Sequence, residues 1–186
     1  PIDTPSFALA GRPQGRAIRP RQWQQQLIQL LRRRLQPHST AGRDVLIHAG
    51  PGAGKTLGAL LAFQAMQAEG CIEHAVVFCH RTSILCQWKE AASRLGMHLE
   101  LWNGANSASN AADGWLVSYQ GAGRQQLLLS EDLNRWNSDT LLAIADEAHH
   151  LGVDPEEPDG PVWGRTFLEL SHRARLRLGL TGTPFR

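Results

Sequence analysis

The chain has 186 residues, of which 42% are hydrophobic and 19% are charged, with 19 Lys and Arg against 17 Asp and Glu. This length predicts one folded domain, or one domain with a short arm, and the sequence lacks the run of about eighteen apolar residues that would cross a membrane. Three cysteines without metal-ligand spacing, and an N-terminus without a signal-peptide pattern, favour a reduced, cytoplasmic location.

The positive charge is concentrated near the N-terminus. The first 43 residues contain eight arginines and one aspartate, whereas the rest of the chain is net acidic. Residues 1–18 are rich in Pro, Gly and Arg and lack periodicity, which predicts an N-terminal arm before a folded domain at 19–186. A helix is predicted from Pro20 to about Leu35, with apolar residues on one face. The basic residues could contact a nucleic-acid backbone or form a solvated helix face, and both interpretations stay open.

A glycine-rich loop separates an apolar strand, predicted at 45–49, from an apolar helix, predicted at 54–68. The junction reads Ala49-Gly50-Pro51-Gly52-Ala53-Gly54-Lys55-Thr56. Strand, small residues and helix in this order predict a phosphate-binding loop, because backbone N–H groups can then approach phosphate oxygens closely. Lys55 can reach the β- and γ-phosphates of a nucleoside triphosphate, and Thr56 can offer its hydroxyl to Mg²⁺.

Strands and helices continue to alternate after this loop. Periodicity and turn residues predict strands at 75–79, 98–102, 115–119, 141–145 and 175–180, helices at 83–95, 122–136 and 163–172, and loops at 103–114 and 152–160. Strands that alternate with helices predict an α/β fold with a mostly parallel, twisted sheet. Helices are then expected on both faces of the sheet, in three layers.

Two adjacent acids, Asp146 and Glu147, end the apolar strand at 141–145. Ligands of parallel α/β sheets gather at the carboxyl ends of the strands, so Asp146 is expected beside the phosphate-binding loop. Asp146 can hold Mg²⁺, and Glu147 can polarise the water that attacks the γ-phosphate. A solvated acidic helix start is the alternative interpretation. A phosphate-binding loop in the same chain favours the nucleotide site.

With these motifs in order, the chain resembles the first RecA-like motor domain of superfamily 2 helicases. Within that superfamily it looks like the DEAH-containing bacterial branch, which shares its motor type with restriction-enzyme motor subunits. The resemblance runs from about Ile18 to Arg186, and this family commonly has alanine where Ala49 replaces the glycine of the generic loop. It implies a RecA-like P-loop fold, ATP and Mg²⁺ as cofactors, and ATPase or helicase activity on nucleic acid, with DNA preferred and RNA possible.

The resemblance also assigns roles to individual residues. Gln22, after Arg19-Pro20-Arg21, would contact adenine, and Lys55, Asp146, Glu147 and His149 would be catalytic. The motif Thr181-Gly182-Thr183 would couple the nucleotide state to nucleic-acid engagement, and its hydroxyls could pair with His149. His149 could also be a plain exposed histidine. Nucleic-acid contacts would come from residues that follow the second strand or lie at the end of the fourth, namely His80, Arg81, Thr82, Tyr119 and Gln120.

Motors of this superfamily bind ATP between two RecA-like domains, and the second domain supplies arginines. The chain stops just after the coupling motif. We therefore expect it to be the first domain without the second, to depend on a second RecA-like domain of the same parent chain, and to hydrolyse little ATP alone.

Three other functions remain as alternatives. The chain could be the motor of a restriction-type DNA translocase that does not separate strands, or a non-catalytic nucleotide-binding fragment. A P-loop kinase is less favoured, because residues 103–113 contain none of the basic residues expected of a lid.

Overall fold

A computed structural model describes residues 18–104, 112–152 and 159–182. The strands are β1 (Asp44–His48), β2 (His74–Cys79), β3 (Leu99–Leu101), β4 (Gly114–Ser118), β5 (Leu141–Ala145) and β6 (Leu176–Thr181). The helices are α1 (Gln22–Arg34), α2 (Lys55–Ala68), α3 (Thr82–Arg94), α4 (Tyr119–Arg124), α5 (Gln126–Leu133) and α6 (Gly160–Leu170), with short 3₁₀ turns at Ser138–Thr140 and Ala148–Leu151. None of the helices in these ranges is long and apolar enough to cross a membrane.

The six strands form one sheet in the order β1-β6-β5-β2-β4-β3, and every neighbouring pair is parallel. This confirms the parallel α/β sheet predicted from the alternation of strands and helices. Because all strands point the same way, the carboxyl ends of β1, β6, β5 and β2 share one edge. The phosphate-binding loop follows β1 at that edge, and the acidic pair follows β5. In the sheet β6 lies between β1 and β5, so the carboxyl end of β6 lies between the phosphate-binding loop and the acidic pair.

Helices cover both faces of the sheet, as predicted. Alternate residues of β2 point to opposite faces, so Val77 packs into a core with α1, α2 and α3, whereas Phe78 packs into a core with α4, α5 and α6. The first core includes Leu31, Phe63 and Trp88, which are fully buried. The domain therefore has three layers, namely the sheet and the helices that pack on each of its two faces.

Two predicted helices differ in detail from the structure. The helix predicted at 122–136 is two helices, because the backbone at Gln125 leaves the helical region (φ −126°, ψ 36°) between α4 and α5. The helix predicted at 163–172 begins earlier, at Gly160, and Pro161 in its first turn suits that start. Residues 1–17 of the predicted arm at 1–18, and parts of both predicted loops, lie outside the described residues.

Candidate nucleotide-binding and catalytic site

The phosphate-binding loop joins the end of β1 to the first residue of α2. Gly52 and Gly54 have φ values of 72° and 80°, a left-handed conformation that favours glycine. Lys55 Nζ lies 3.0 Å from the carbonyl oxygen of Ala49 and 3.4 Å from that of Gly50, and it donates to both. The lysine therefore lies over the concave side of the loop, where a phosphate group could replace the two carbonyl oxygens as its partner.

Side chains from the start of α1 hold this loop from outside. Three of them donate hydrogen bonds to consecutive carbonyl oxygens: Arg21 Nη1 to Gly52 over 3.0 Å, Trp23 Nε1 to Ala53 over 3.1 Å, and Gln24 Nε2 to Gly54 over 3.0 Å. Gln24 is 1% exposed, and its Oε1 also accepts from the backbone N–H of Arg21. The loop is thus fixed by α1 as well as by its own glycines.

Gln22 was predicted in this region from the sequence, whereas Trp23 and Gln24 were missed. The structure places Gln22 at the exposed first position of α1, beside the three residues that hold the loop. Its contact with adenine stays a prediction. One sequence signal could have identified Gln24. It stands three residues after Arg21, and a glutamine at this spacing can cap the start of a helix.

Asp146 follows β5 directly and is 6% exposed. Its Oδ2 accepts a hydrogen bond from Trp88 Nε1 over 2.8 Å, and its Oδ1 accepts from the backbone N–H of Glu147 over 2.9 Å. Its own carbonyl oxygen accepts from the hydroxyl of Tyr119 over 2.8 Å. Burial raises the pKa of Asp146, while the two hydrogen bonds and the charge of Lys55 act to lower that pKa. Both carboxylate oxygens of this acid are therefore oriented by the fold.

The structure corrects the prediction for Tyr119. Its side chain is 1% exposed, stacks against Trp163 at 6.0 Å between ring centroids, and donates to the Asp146 carbonyl. Burial also raises the pKa of its hydroxyl. Because this ring is buried in the core, the side chain of Tyr119 does not reach the surface where the predicted contact with nucleic acid would be made. Gln120, the next residue, is exposed, and its contact with nucleic acid stays a prediction.

Glu147 has a left-handed backbone (φ 52°, ψ 47°), and it is a non-glycine residue. Such a conformation costs free energy and often accompanies a functional site. Glu147 is followed by the 3₁₀ turn at Ala148–Leu151, which places two histidine side chains beside its carboxylate. Glu147 Oε2 lies 3.3 Å from His149 Nε2 and 3.7 Å from His150 Nε2. No role was predicted for His150 from the sequence.

The end of β6 contacts both halves of the site. His149 Nδ1 and Thr181 Oγ1 lie 3.1 Å apart, so the contact predicted between these residues is present. A Cβ atom added to the next residue, Gly182, would lie 3.2 Å from Lys55 Nζ. The predicted coupling motif therefore touches His149, after the acidic pair, on one side and Lys55 of the phosphate-binding loop on the other. Thr183, the last residue of that motif, lies outside the described residues.

The residues after β2 divide into two groups. The His80 ring stacks on His150 at 4.4 Å between centroids and meets Trp163 edge-on at 5.1 Å, so it faces the acidic site rather than solvent. Arg81 and Thr82 are exposed at the start of α3. Geometry thus favours Arg81 and Thr82 over His80 for the predicted contact with nucleic acid.

Comparison with known proteins identifies relatives over most of the chain. A model of the family described as "Type III restriction enzyme, res subunit" matches residues 17–186. The uncharacterized protein Rv2917 of Mycobacterium tuberculosis (strain H37Rv) is 32% identical over 171 residues. That match covers 89% of this chain and 25% of the relative, so the chain spans about a quarter of the length of this relative.

Solved structures share the fold at lower identity. The SWI2/SNF2 ATPase core of Sulfolobus solfataricus, in complex with dsDNA, is 20% identical with a TM-score of 0.61, over 88% of this chain and 32% of that chain. The UvsW helicase of bacteriophage T4 is 15% identical with a TM-score of 0.62, over 90% of this chain and 54% of that chain. At these identities the similarity establishes the RecA-like α/β fold.

Proposed function

The chain belongs to the family described as type III restriction enzyme, res subunit, and from that membership we propose that it binds ATP as the first RecA-like motor domain of an enzyme that moves on nucleic acid. The observation that carries this proposal is the meeting of three motifs at one sheet edge. Gly182 lies against Lys55, and Thr181 lies against His149. A nucleotide held by the loop would thus be next to both the acidic pair and the coupling strand.

The phosphate groups of ATP would take the place of the carbonyl oxygens that now contact Lys55. The loop's N–H groups and the N-terminal end of α2 add further positive potential at the same position. The Thr56 hydroxyl and the Asp146 carboxylate form the hard oxygen donor set that Mg²⁺ prefers, and both lie at this edge. Bound Mg²⁺ would neutralise charge on the β- and γ-phosphates.

Glu147 is the general base of this proposal. Its carboxylate can accept a proton from the water that attacks the γ-phosphorus, and the left-handed backbone of Glu147 sets the direction in which this side chain leaves the chain. His149, which lies next to Glu147, also contacts the hydroxyl of Thr181, so a movement of the acidic site would move the end of β6. Nucleotide hydrolysis and the position of the coupling strand are thereby linked through one hydrogen bond.

The partners of the domain are also proposals. We propose double-stranded DNA as the nucleic acid, because one structural neighbour is an ATPase core in complex with dsDNA. Exposed Arg81, Thr82 and Gln120 would contact it. A second RecA-like domain of the parent chain would close the ATP site, which fits a chain that spans a quarter of its relative. The family description favours a restriction-type translocase as the second candidate, which would move on DNA without separating strands.

The test is ATP hydrolysis by the parent protein with duplex DNA, single-stranded DNA or RNA. Lys55→Ala should abolish nucleotide binding or hydrolysis, and Glu147→Gln should retain binding and lose about 100-fold or more in kcat. Lys89→Ala is the matched control, because Lys89 is the other lysine of the chain and is exposed on α3. Equal activity of Lys55→Ala, Lys89→Ala and wild type would refute the proposal. Strand-separation and translocation assays then discriminate helicase from translocase.

A further inference from the structure

We propose that Glu147, His149 and His150 form a binding site for a late first-row transition metal such as Zn²⁺, distinct from the Mg²⁺ site. One ligand atom from each residue lies within 4.8 Å of the other two. The inference that such an ion inhibits the enzyme rests on the proposed function, because it assumes that Glu147 is the general base. The binding of the ion itself does not depend on that assumption.

The distances fit one shared ion. Zn²⁺ binds histidine nitrogen and carboxylate oxygen at about 2.0–2.1 Å, and a tetrahedral arrangement then separates two ligand atoms by about 3.4 Å. Glu147 Oε2 lies 3.3 Å from His149 Nε2 and 3.7 Å from His150 Nε2. Each of these two distances is within a few tenths of an ångström of the tetrahedral value, and the ligand atoms of the two histidines lie within 4.8 Å of each other.

Neighbouring groups hold the histidines in this arrangement. Nδ1 of His149 contacts the hydroxyl of buried Thr181, which directs Nε2 of the same ring toward Glu147. Such outer-shell hydrogen bonds are how proteins orient metal-binding imidazoles. The His150 ring is stacked on His80 with an angle of 16° between the ring planes. Both rings are therefore positioned by contacts with side chains other than Glu147.

Chemical preference separates this site from that of Mg²⁺. Imidazole nitrogen suits Zn²⁺, Co²⁺, Ni²⁺ and Cu²⁺, whereas Mg²⁺ prefers oxygen ligands in an octahedron. The side chains of Glu147, His149 and His150 are 20–35% exposed, so an ion can enter from solvent. Three protein ligands also leave a fourth position for water, as in zinc sites that are open to solvent.

Occupation of this site would stop hydrolysis without blocking the phosphate-binding loop. A bound ion would draw electron density from the Glu147 carboxylate and make it a weaker acceptor for the proton of the attacking water. ATP affinity would change little, because the contacts of Lys55 and Thr56 are separate. Zn²⁺ is thus expected to act as a reversible inhibitor. Removal of the ion by a chelator should restore the ATPase rate that the protein had before Zn²⁺ was added.

Co²⁺ is the probe for the experiment, because tetrahedral Co²⁺ absorbs visible light and can be titrated in excess Mg²⁺ without nucleotide. The parent protein should bind Co²⁺ with this absorption, and His150→Ala should weaken that binding at least about 10-fold, since loss of even an outer-shell partner costs 10- to 100-fold. His98→Ala is the matched control, because His98 Nε2 lies 3.2 Å from Glu100 and, among the described residues, this pair belongs to no three-ligand cluster. Asp146→Asn should retain Co²⁺ binding.

Two outcomes would overturn the proposal. One is equal Co²⁺ affinity of wild type and His150→Ala, and the other is loss of binding in Asp146→Asn but not in His150→Ala, which would place the ion at the Mg²⁺ site. Circular dichroism checks the fold of each variant, and His150→Gln replaces His150→Ala if the latter unfolds. If Co²⁺ binds as expected while Lys55→Ala keeps normal hydrolysis, the metal site stands and the proposed function fails.

Discussion

The indole nitrogen of Trp88 donates a buried hydrogen bond to Oδ2 of Asp146 over 2.8 Å. Trp88 is fully buried in α3, the helix whose exposed start carries Arg81 and Thr82. One helix therefore connects the surface proposed for nucleic acid with the acid proposed to hold Mg²⁺. A displacement of α3 on nucleic-acid binding would move the donor that orients this carboxylate.

Replacing Trp88 with Phe should lower Mg²⁺ affinity of the nucleotide complex by about 10-fold, because the metal ligand loses its orienting partner. It should also cost about 1–3 kcal/mol of unfolding free energy, since a buried acceptor is left unpaired. Trp102→Phe is the matched control, because Trp102 Nε1 donates to the buried carboxylate of Asp132 over 2.9 Å, away from the site. A Mg²⁺ titration of nucleotide binding with both variants should separate them; equal Mg²⁺ affinities would contradict the role of Trp88.

Gly58→Ala should disturb the phosphate-binding loop through Trp23. A Cβ at position 58 would come within 2.4 Å of the Trp23 ring, so the ring must move and its hydrogen bond to Ala53 should break. We expect weaker ATP binding and a loss of about 1–3 kcal/mol in stability from overpacking. Gly123→Ala, in α4 with open space around it, should instead leave ATP binding unchanged. Measured Kd values for ATP in both variants decide whether α1 holds the loop.

Thr181→Ala should uncouple hydrolysis from movement. The variant loses the hydroxyl that contacts His149, while Lys55, Asp146 and Glu147 remain in place. Basal ATPase should stay near the wild-type rate, and translocation or unwinding per ATP should fall. Thr181→Ser keeps the hydroxyl and should restore coupling. A Thr181→Ala protein that moves along DNA as efficiently as the Ser variant would show that the contact has no coupling role.

Asp44→Asn should remove part of the stability of the domain at neutral pH. Arg177 Nε and Nη2 donate to the two carboxylate oxygens of Asp44 over 2.5 and 2.8 Å, which joins β1 to β6 and lowers the pKa of Asp44 below 3.8. A lowered pKa in the folded state means that the contribution is present above about pH 4 and is lost as pH falls further. The side chain of Asp44 is 65% exposed, so the effect should be under about 1 kcal/mol.

The check is denaturant unfolding of wild type and Asp44→Asn between pH 7 and pH 2.5. The difference in unfolding free energy should shrink toward zero at the acid end. Arg177→Lys keeps the charge but loses the two-pronged contact, so it should show a reduced version of the same difference. A difference that stays constant across this pH range would rule out the proposed linkage.

Local sequence determined the elements and two chemical motifs. Apolar strand, small residues, Lys55 and helix are contiguous, so the phosphate-binding loop needs no distant contact to be predicted. Asp146 and Glu147 were predicted as a site from their position at the end of an apolar strand. Alternation of strands with helices predicted the parallel sheet, because parallel strands require crossover connections.

Tertiary structure decided how those motifs meet. The loop at Lys55 and the acids at Asp146 are about ninety residues apart, and the strand β6, last in the described chain, lies between β1 and β5. Trp88 reaches Asp146 across 58 residues, and Tyr119 is buried although the sequence placed it among the candidate surface contacts. Periodicity indicates which face of a helix or strand is apolar. A hydrogen bond between side chains far apart in the sequence depends instead on where a distant element packs. The side chains that hold the site, as opposed to those that form its motifs, therefore became visible only in the folded chain.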